Sequence, residues 1–284
     1  MKNTDPKPRQ IKISLEESAL YFFLAFFALI VIFPYIWMVL TSFKPASEIF
    51  TPQMKFLPQE WHFENYSEVL RTGSFYRYII NSIVVTILGV LLEISIAFFG
   101  AYAFAKLDFY LKDFAFFLIL GTLMIPPQVL MLPAYLTVSR IGWLDSYAGL
   151  IIPRAGAAFG IFLLRQFMMT IPDELEDAAR VDGAGLFQRL FRIYLPLSFP
   201  SLVTMGIFSM IGFWNDYYWP LVITSSNEMR TLALGIGHFK SLEGMGKWEL
   251  LMAAATIATA PMIIAYFVTR KTLIENLTAG AIKG

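Results

Sequence analysis

Residues 170–200 read "TIPDELEDAARVDGAGLFQRLFRIYLPLSFP", a charged, glycine-broken stretch inside a chain that is 57% apolar. Thr170 predicts a helix cap, Pro172 is tolerated in the first turn, and Asp173 and Glu174 put negative charge at the positive end of the helix dipole. Gly183 is placed to end that helix, and "DGAG" at 182–185 can hold a sharp turn. A second helix is expected next, with Leu186, Leu190 and Tyr194 four residues apart beside Phe187 and Phe191, while Arg189 and Arg192 stay polar. Pro196 then opens a long apolar segment. The reading is a helix-turn-helix unit projecting from a membrane. Connections between helices normally need only a handful of residues, so one this long and ordered predicts docking into a groove on another protein.

The rest of the 284-residue chain supplies the membrane. Only 15% of residues are charged, where a soluble domain carries about a quarter. A net charge of +1 leaves no concentrated basic face for a nucleic acid, and the absence of cysteine removes disulfides and thiolate chemistry. Six apolar spans are expected at about 18–41, 79–105, 114–138, 147–169, 196–222 and 249–269. The first follows a tail holding Lys2, Lys7, Arg9 and Lys12, and is read as a retained span because it is too long for a signal-peptide core. The organisation is therefore an N-terminal tail (1–17), a membrane domain (18–269) containing the loop 170–195, and a C-terminal tail (270–284). With both termini inside, the inner segments carry 12 Lys and Arg and the outer ones 8, which favours cytoplasmic termini. Loops 42–78 and 223–248 are long enough for short surface helices, as docking surface, lid or solvated connector.

Pro126, Pro127 and Pro133 predict a kinked third span. In the fourth, Gly156 and Gly160 stand at a spacing that permits close helix approach. Glu93 falls near the middle of the second span, where a charge costs about 2.5–3.5 kcal/mol, so it should face the bundle interior or a cavity. Arg154 has three readings: snorkelling to the interface, an ion pair with Glu93, or contact with an acidic substrate. Asn215 and Asp216 fall late in the fifth span among Trp214, Tyr217, Tyr218 and Trp219. These aromatics suit a sugar pathway, and equally an interfacial belt.

Asp177, Ala178 and Ala179, three residues, Gly183, nine residues, then Ile193, Leu195 and Pro196 match EAA-x3-G-x9-I-x-L-P, with aspartate in place of glutamate. The chain thereby resembles the membrane subunits of binding-protein-dependent ABC importers. "TSFKP" at 41–45, "FGIFLLRQF" at 159–167, "FWNDYYWPL" at 213–221 and "LTAGAIKG" from Leu277 resemble the carbohydrate-importing, maltose-permease G-like branch. The resemblance implies an all-α, six-span type I (MetI-like) bundle that forms half of a saccharide path and works by alternating access. The first short helix of the 170–195 loop is implied to be a coupling helix in a cleft of the ATPase, with Glu176, Asp177, Ala178, Ala179, Asp182 and Gly183 at the contact and either Glu176 or Asp177 supplying the acid. Implied partners are a second permease subunit, two ATPase subunits, an extracytoplasmic solute-binding protein, the saccharide and membrane lipid. Glu93, Arg154, Asn215 and Asp216 are the candidate path residues.

No phosphate-binding loop is present: Ser241 stands where the first glycine of "LEGMGKW" would need to be and Trp248 where the Mg-binding hydroxyl belongs. Mg-ATP is therefore expected on a partner chain, and this one is expected to hold no cofactor or metal and to catalyse nothing. His62 and His238 are the only histidines, both in outer loops, and neither HExxH nor GxSxG occurs. The competing reading is an ion-coupled secondary transporter of a small polar solute with Glu93 as the ion site; paired broken helices, its usual mark, are not evident in the sequence.

Overall fold

The computed structural model describes residues 15–52, 55–242 and 247–281, and among them every regular element is helical. In chain order the helices are α1 (Leu15–Thr41), α2 (Ala46–Ile49), α3 (Glu64–Arg71), α4 (Phe75–Lys106), α5 (Lys112–Thr122), α6 (Pro127–Arg140) and α7 (Tyr147–Ile151). There follow α8 (Ala158–Met169), α9 (Asp173–Val181), α10 (Leu186–Arg189), α11 (Leu195–Trp214), α12 (Tyr218–Ile223), α13 (Leu232–Leu242) and α14 (Trp248–Ala281). Four segments are straight enough, long enough and apolar enough to cross a membrane: Glu16–Thr41, Phe75–Lys106, Leu186–Trp214 and Trp248–Lys271. Two bent pairs, α5 with α6 and α7 with α8, complete the six.

The core lies where α4, α8 and α11 cross. Ala97, Ala101 and Tyr102 of α4, Leu164 and Met168 of α8, and Met205 of α11 are all buried there. Gly160 makes the crossing possible: a Cβ on it would sit 2.2 Å from Met205 Cε and 2.9 Å from Ala97 Cβ. Gly156, its partner in the small-residue spacing, has nothing within 4 Å and stands outside α8, so only one of the two glycines serves close approach. Around this core, α1 exposes an almost unbroken apolar surface from Ala19 to Ile36 and packs chiefly along α14, as befits a helix whose solvent is lipid.

Three of the expected spans are interrupted. The third bends by 101° between Thr122 and Pro127, far beyond a kink. Pro126 is held extended at φ −57° and ψ 130° because the proline after it forbids the helical region, and both prolines lack the N–H that would carry the helix through. The fourth bends by 47° after a 3-10 turn at Ile152–Arg154. The fifth begins earlier and ends earlier than expected: α10, a π turn at Leu190–Tyr194 and α11 form one 29-residue segment, Leu186–Trp214, so the second helix of the projecting unit is the start of the span itself. Leu195 N–H donates to Leu190 O, the wide π pattern, immediately before Pro196, which has no N–H to offer. The segment stops at Trp214, which leaves Asn215 and Asp216 in a break rather than within a helix. At the other end of the chain, α14 continues through the expected tail as far as Ala281.

In loop 42–78 the described residues are tied together by side-chain bonds to backbone. Asn65, buried, donates from Nδ2 to Ser42 O (2.8 Å) and Lys44 O (3.0 Å), and Lys44 Nζ donates to Lys55 O at 2.6 Å. Loop 223–248 contains a 3-10 turn at Asn227–Met229 and α13; His238 lies where only backbone is described.

Candidate functional site

Helix α9 is held away from the bundle at the end where α4 terminates. Its N-cap is Pro172, not Thr170; Thr170 caps the C-terminus of α8 and donates its hydroxyl to Phe167 O at 2.8 Å. The helix ends as the sequence requires. Gly183 adopts φ +76°, in the left-handed region open to glycine, which lets Gly183 N–H reach Arg180 O (3.0 Å) and Ala184 N–H reach Ala179 O (2.8 Å). Gly185 N–H then donates to Gln188 Oε1 at 2.9 Å, which starts the next helix.

The inner face of α9 is polar and fully engaged. Glu176, 4% exposed, accepts from Tyr194 Oη at 2.6 Å, Arg180 Nη2 at 2.9 Å and Tyr102 Oη at 3.4 Å, and pairs with Arg189 Nε at 3.3 Å. Lys106 Nζ donates to Ile171 O at 2.8 Å and pairs with Asp173, and that ammonium holds the Asp173 carboxyl below the usual carboxylate range. The outer face is bare: Leu175, Asp177, Ala178 and Val181 are all exposed. Glu176 is turned into its own chain, and Asp177 is the carboxylate that faces outward. Asp182 and Gly183 are exposed at the turn, Ala179 is half-buried, Ile193 and Leu195 pack against the core, and Pro196 is exposed.

A cleft of about 670 Å³ opens at a different level, where three helix breaks converge. Its wall includes Thr122 and Gln128 from the α5–α6 break, Arg154 and Gly156 from the α7–α8 break, and Asp216 and Tyr218 from the α11–α12 break. Non-helical backbone at membrane depth is tolerated only against protein or a water-filled cavity, and here the three breaks face one another across the cleft. Arg154 takes a partner outside all three sequence readings: Nε pairs with Asp216 Oδ2 at 2.9 Å, and Nη2 donates to Gly212 O at 3.2 Å. Asp216 Oδ1 also accepts Trp219 N–H (3.3 Å) and so anchors α12. Glu93 is half-buried, faces Ser209 of α11 and forms no ion pair among the described residues; it does not line the cleft. Asn215 also stays out of it, exposed, with Nδ2 donating to Ile211 O. Trp214 and Trp219 are both buried, and their indole N–H groups bond Ala258 O (3.0 Å) and Gly149 O (2.9 Å); Trp219 also lines the cleft.

Sequence reasoning missed Tyr102, Lys106 and Arg189 and took Tyr194 for an apolar stacking residue. The available signal was Tyr102 and Lys106 four apart in the last turns of a span, one face offering two polar groups to whatever lies beyond the bundle.

A bundle with broken helices around a cleft, and a short helix held outside it, is the layout of a solute permease. The chain belongs to the family of binding-protein-dependent transport system inner membrane components, which its residues 94–276 match. It is 34% identical over 280 residues to the probable ABC transporter permease protein YurM of Bacillus subtilis, covering 98% of this chain and 92% of that one. To the arabinooligosaccharides transport system permease protein AraQ of Halalkalibacterium halodurans it is 32% identical over 263 residues, covering 92% and 94%. A chain in the crystal structure of a bacterial ABC transporter involved in the import of the acidic polysaccharide alginate superposes with a TM-score of 0.82 at 27% identity, covering 94% and 99%. Family membership decides against the ion-coupled alternative, although the broken helices which that alternative requires are present after all.

Proposed function

We propose that this chain is one of two permease halves of a saccharide-importing ABC transporter, and that α9 is the element through which a separate ATPase drives it. In the assembly it pairs with a second permease subunit, two ATPase subunits and an extracytoplasmic solute-binding protein. Both termini then lie in the cytoplasm, and Mg-ATP is held by the ATPase chains. The observation that carries the reading is the two-faced α9: its outer face offers Leu175, Asp177, Ala178 and Val181 to solvent, while its inner face is bonded throughout to the bundle. Apolar Leu175 and Val181 beside the exposed carboxylates of Glu174 and Asp177 are suited to a groove with a basic edge. Saccharide cargo is supported by the named substrates of the relatives, arabinooligosaccharides and alginate. The cleft, with Arg154 and Asp216 on its wall, is this half's share of the path.

The test is uptake with and without the ATPase. The ATPase should co-purify with the chain, and ATP hydrolysis should drive saccharide uptake into proteoliposomes; uptake driven by an ion gradient with no ATPase present would overturn the reading. Gly183→Val adds a sharper arm. A β-branched residue at φ +76° costs about 1–3 kcal/mol of backbone strain, although open space surrounds the position. Uptake per ATP is expected to fall severalfold with insertion intact, and Gly183→Asn, which tolerates this region better, should fall less. Equal uptake by wild type and Gly183→Val would refute the role of the turn.

A further inference from the structure

We infer that Glu176 is a positioning residue: its carboxylate bolts α9 to α4 and α11 so that the three move as one lever. The inference rests on the coupling role proposed for α9. The carboxylate accepts three hydrogen bonds, from Tyr102, Arg180 and Tyr194, and Arg189 faces it as an ion-pair partner at 3.3 Å, so four polar groups converge on it from four places in the fold. Tyr102 comes from the last turns of α4, Arg180 from α9 itself, Arg189 from α10, and Tyr194 from the end of the π turn that leads into α11. The two tyrosine rings meet edge-on with centroids 4.9 Å apart, and both are almost wholly buried. Arg189 extends the network by donating from Nη1 to Ala184 O at 3.0 Å, which ties in the turn after Gly183.

A π turn at a functional element usually re-aims a side chain, and this one ends on the residue whose hydroxyl makes the 2.6 Å bond. Apolar packing would bury the helix as well, since buried ion networks rarely exceed it in stability; what directed bonds add is a fixed geometry. Force applied to the outer face of α9 must leave through its inner face. From Glu176 it passes directly into α4, which carries Glu93, and α11, which ends at Trp214 just before Asp216.

Glu176→Gln keeps the volume and removes the charge. In the complete transporter reconstituted with its binding protein, the variant should retain the ATPase at wild-type stoichiometry and hydrolyse ATP within twofold of wild type, while uptake per ATP falls at least tenfold. Because the chain has no cysteine, Val181→Cys (88% exposed) and Leu91→Cys (58% exposed) can carry the only two spin labels. Their separation should stay constant through the nucleotide cycle with Glu176 present and become nucleotide-dependent with Glu176→Gln. Wild-type uptake per ATP in the variant, or a label distance that changes in the chain retaining Glu176, would overturn the inference. If Glu176→Gln fails to accumulate, Tyr194→Phe carries the test, since it removes only the 2.6 Å bond; uptake per ATP should drop at least threefold, and no drop overturns the idea. Failure of the ATPase to co-purify with the wild-type chain sinks the coupling reading instead; the label-distance distribution of the reconstituted chain alone, which should be narrow with Glu176 and broad with Glu176→Gln, then judges the linkage, and equal widths overturn it.

Discussion

Gly160→Leu is expected to remove the chain from the folded membrane fraction. The substitution adds four carbons where even one would stand 2.2 Å from Met205 Cε, 2.7 Å from its sulfur and 2.9 Å from Ala97 Cβ. Met205 can shift its terminal methyl a little. Ala97 has no rotamer to change, and both residues are buried where three helices cross, so the strain must move a backbone. Overpacking a close-packed site costs about 1–3 kcal/mol, and occasionally more; at a junction of three helices the upper end applies. Because native proteins are stable by only about 5–15 kcal/mol, a loss of this size is enough to divert a polytopic chain during assembly. The measurement is the monodisperse fraction and melting temperature in detergent. Gly156→Ala is the matched control, and with open space around it should behave as wild type. A Gly160→Leu chain as stable as that control would show that α8 does not need the close approach.

Asp216→Ala should be nearly as damaging, by a different route. It strips Arg154 of its 2.9 Å partner beside the cleft and removes the acceptor for Trp219 N–H that holds the start of α12. Breaking a fully buried pair costs about 3–5 kcal/mol; Arg154 keeps a third of its side chain exposed, so about 2 kcal/mol is the reasonable share. Uptake should fall more than tenfold, and the melting temperature should drop. Asp216→Asn divides the effect, because an amide oxygen can still accept from Trp219 while the charge is gone. Arg154→Gln combined with Asp216→Asn should recover most of the stability that either single change loses, as residues in direct contact do in a double-mutant cycle. Strict additivity of the two losses would mean that the pair contributes nothing to the site.

What could be read in advance follows the range of each signal. The six apolar stretches, the end of α9 at Gly183 and the interruption at Pro126 and Pro127 are all local: each follows from hydrophobic run length or from the backbone limits of one residue. The size of the third-span bend was not local. Two prolines guarantee a break, but 101° depends on what α5 and α6 each pack against. Arg154 shows the same limit more sharply. An arginine inside a span demands an answer, and the answer lay in a helix break that sequence periodicity had placed inside a continuous helix. The partners of the two tryptophans near it were out of reach for the same reason, since the carbonyl that an indole N–H meets depends on a neighbour far along the chain.

The sequence by itself determined an all-helical membrane protein with a charged, glycine-ended helix between its fourth and fifth spans, because burial in lipid and helix termination are properties of consecutive residues. Only the tertiary structure decided which acid of that helix faces out. Glu176 and Asp177 are neighbours with the same chemistry. One points inward because Tyr102, 74 residues earlier, and Tyr194, 18 residues later, bring their hydroxyls to the place where its carboxylate falls.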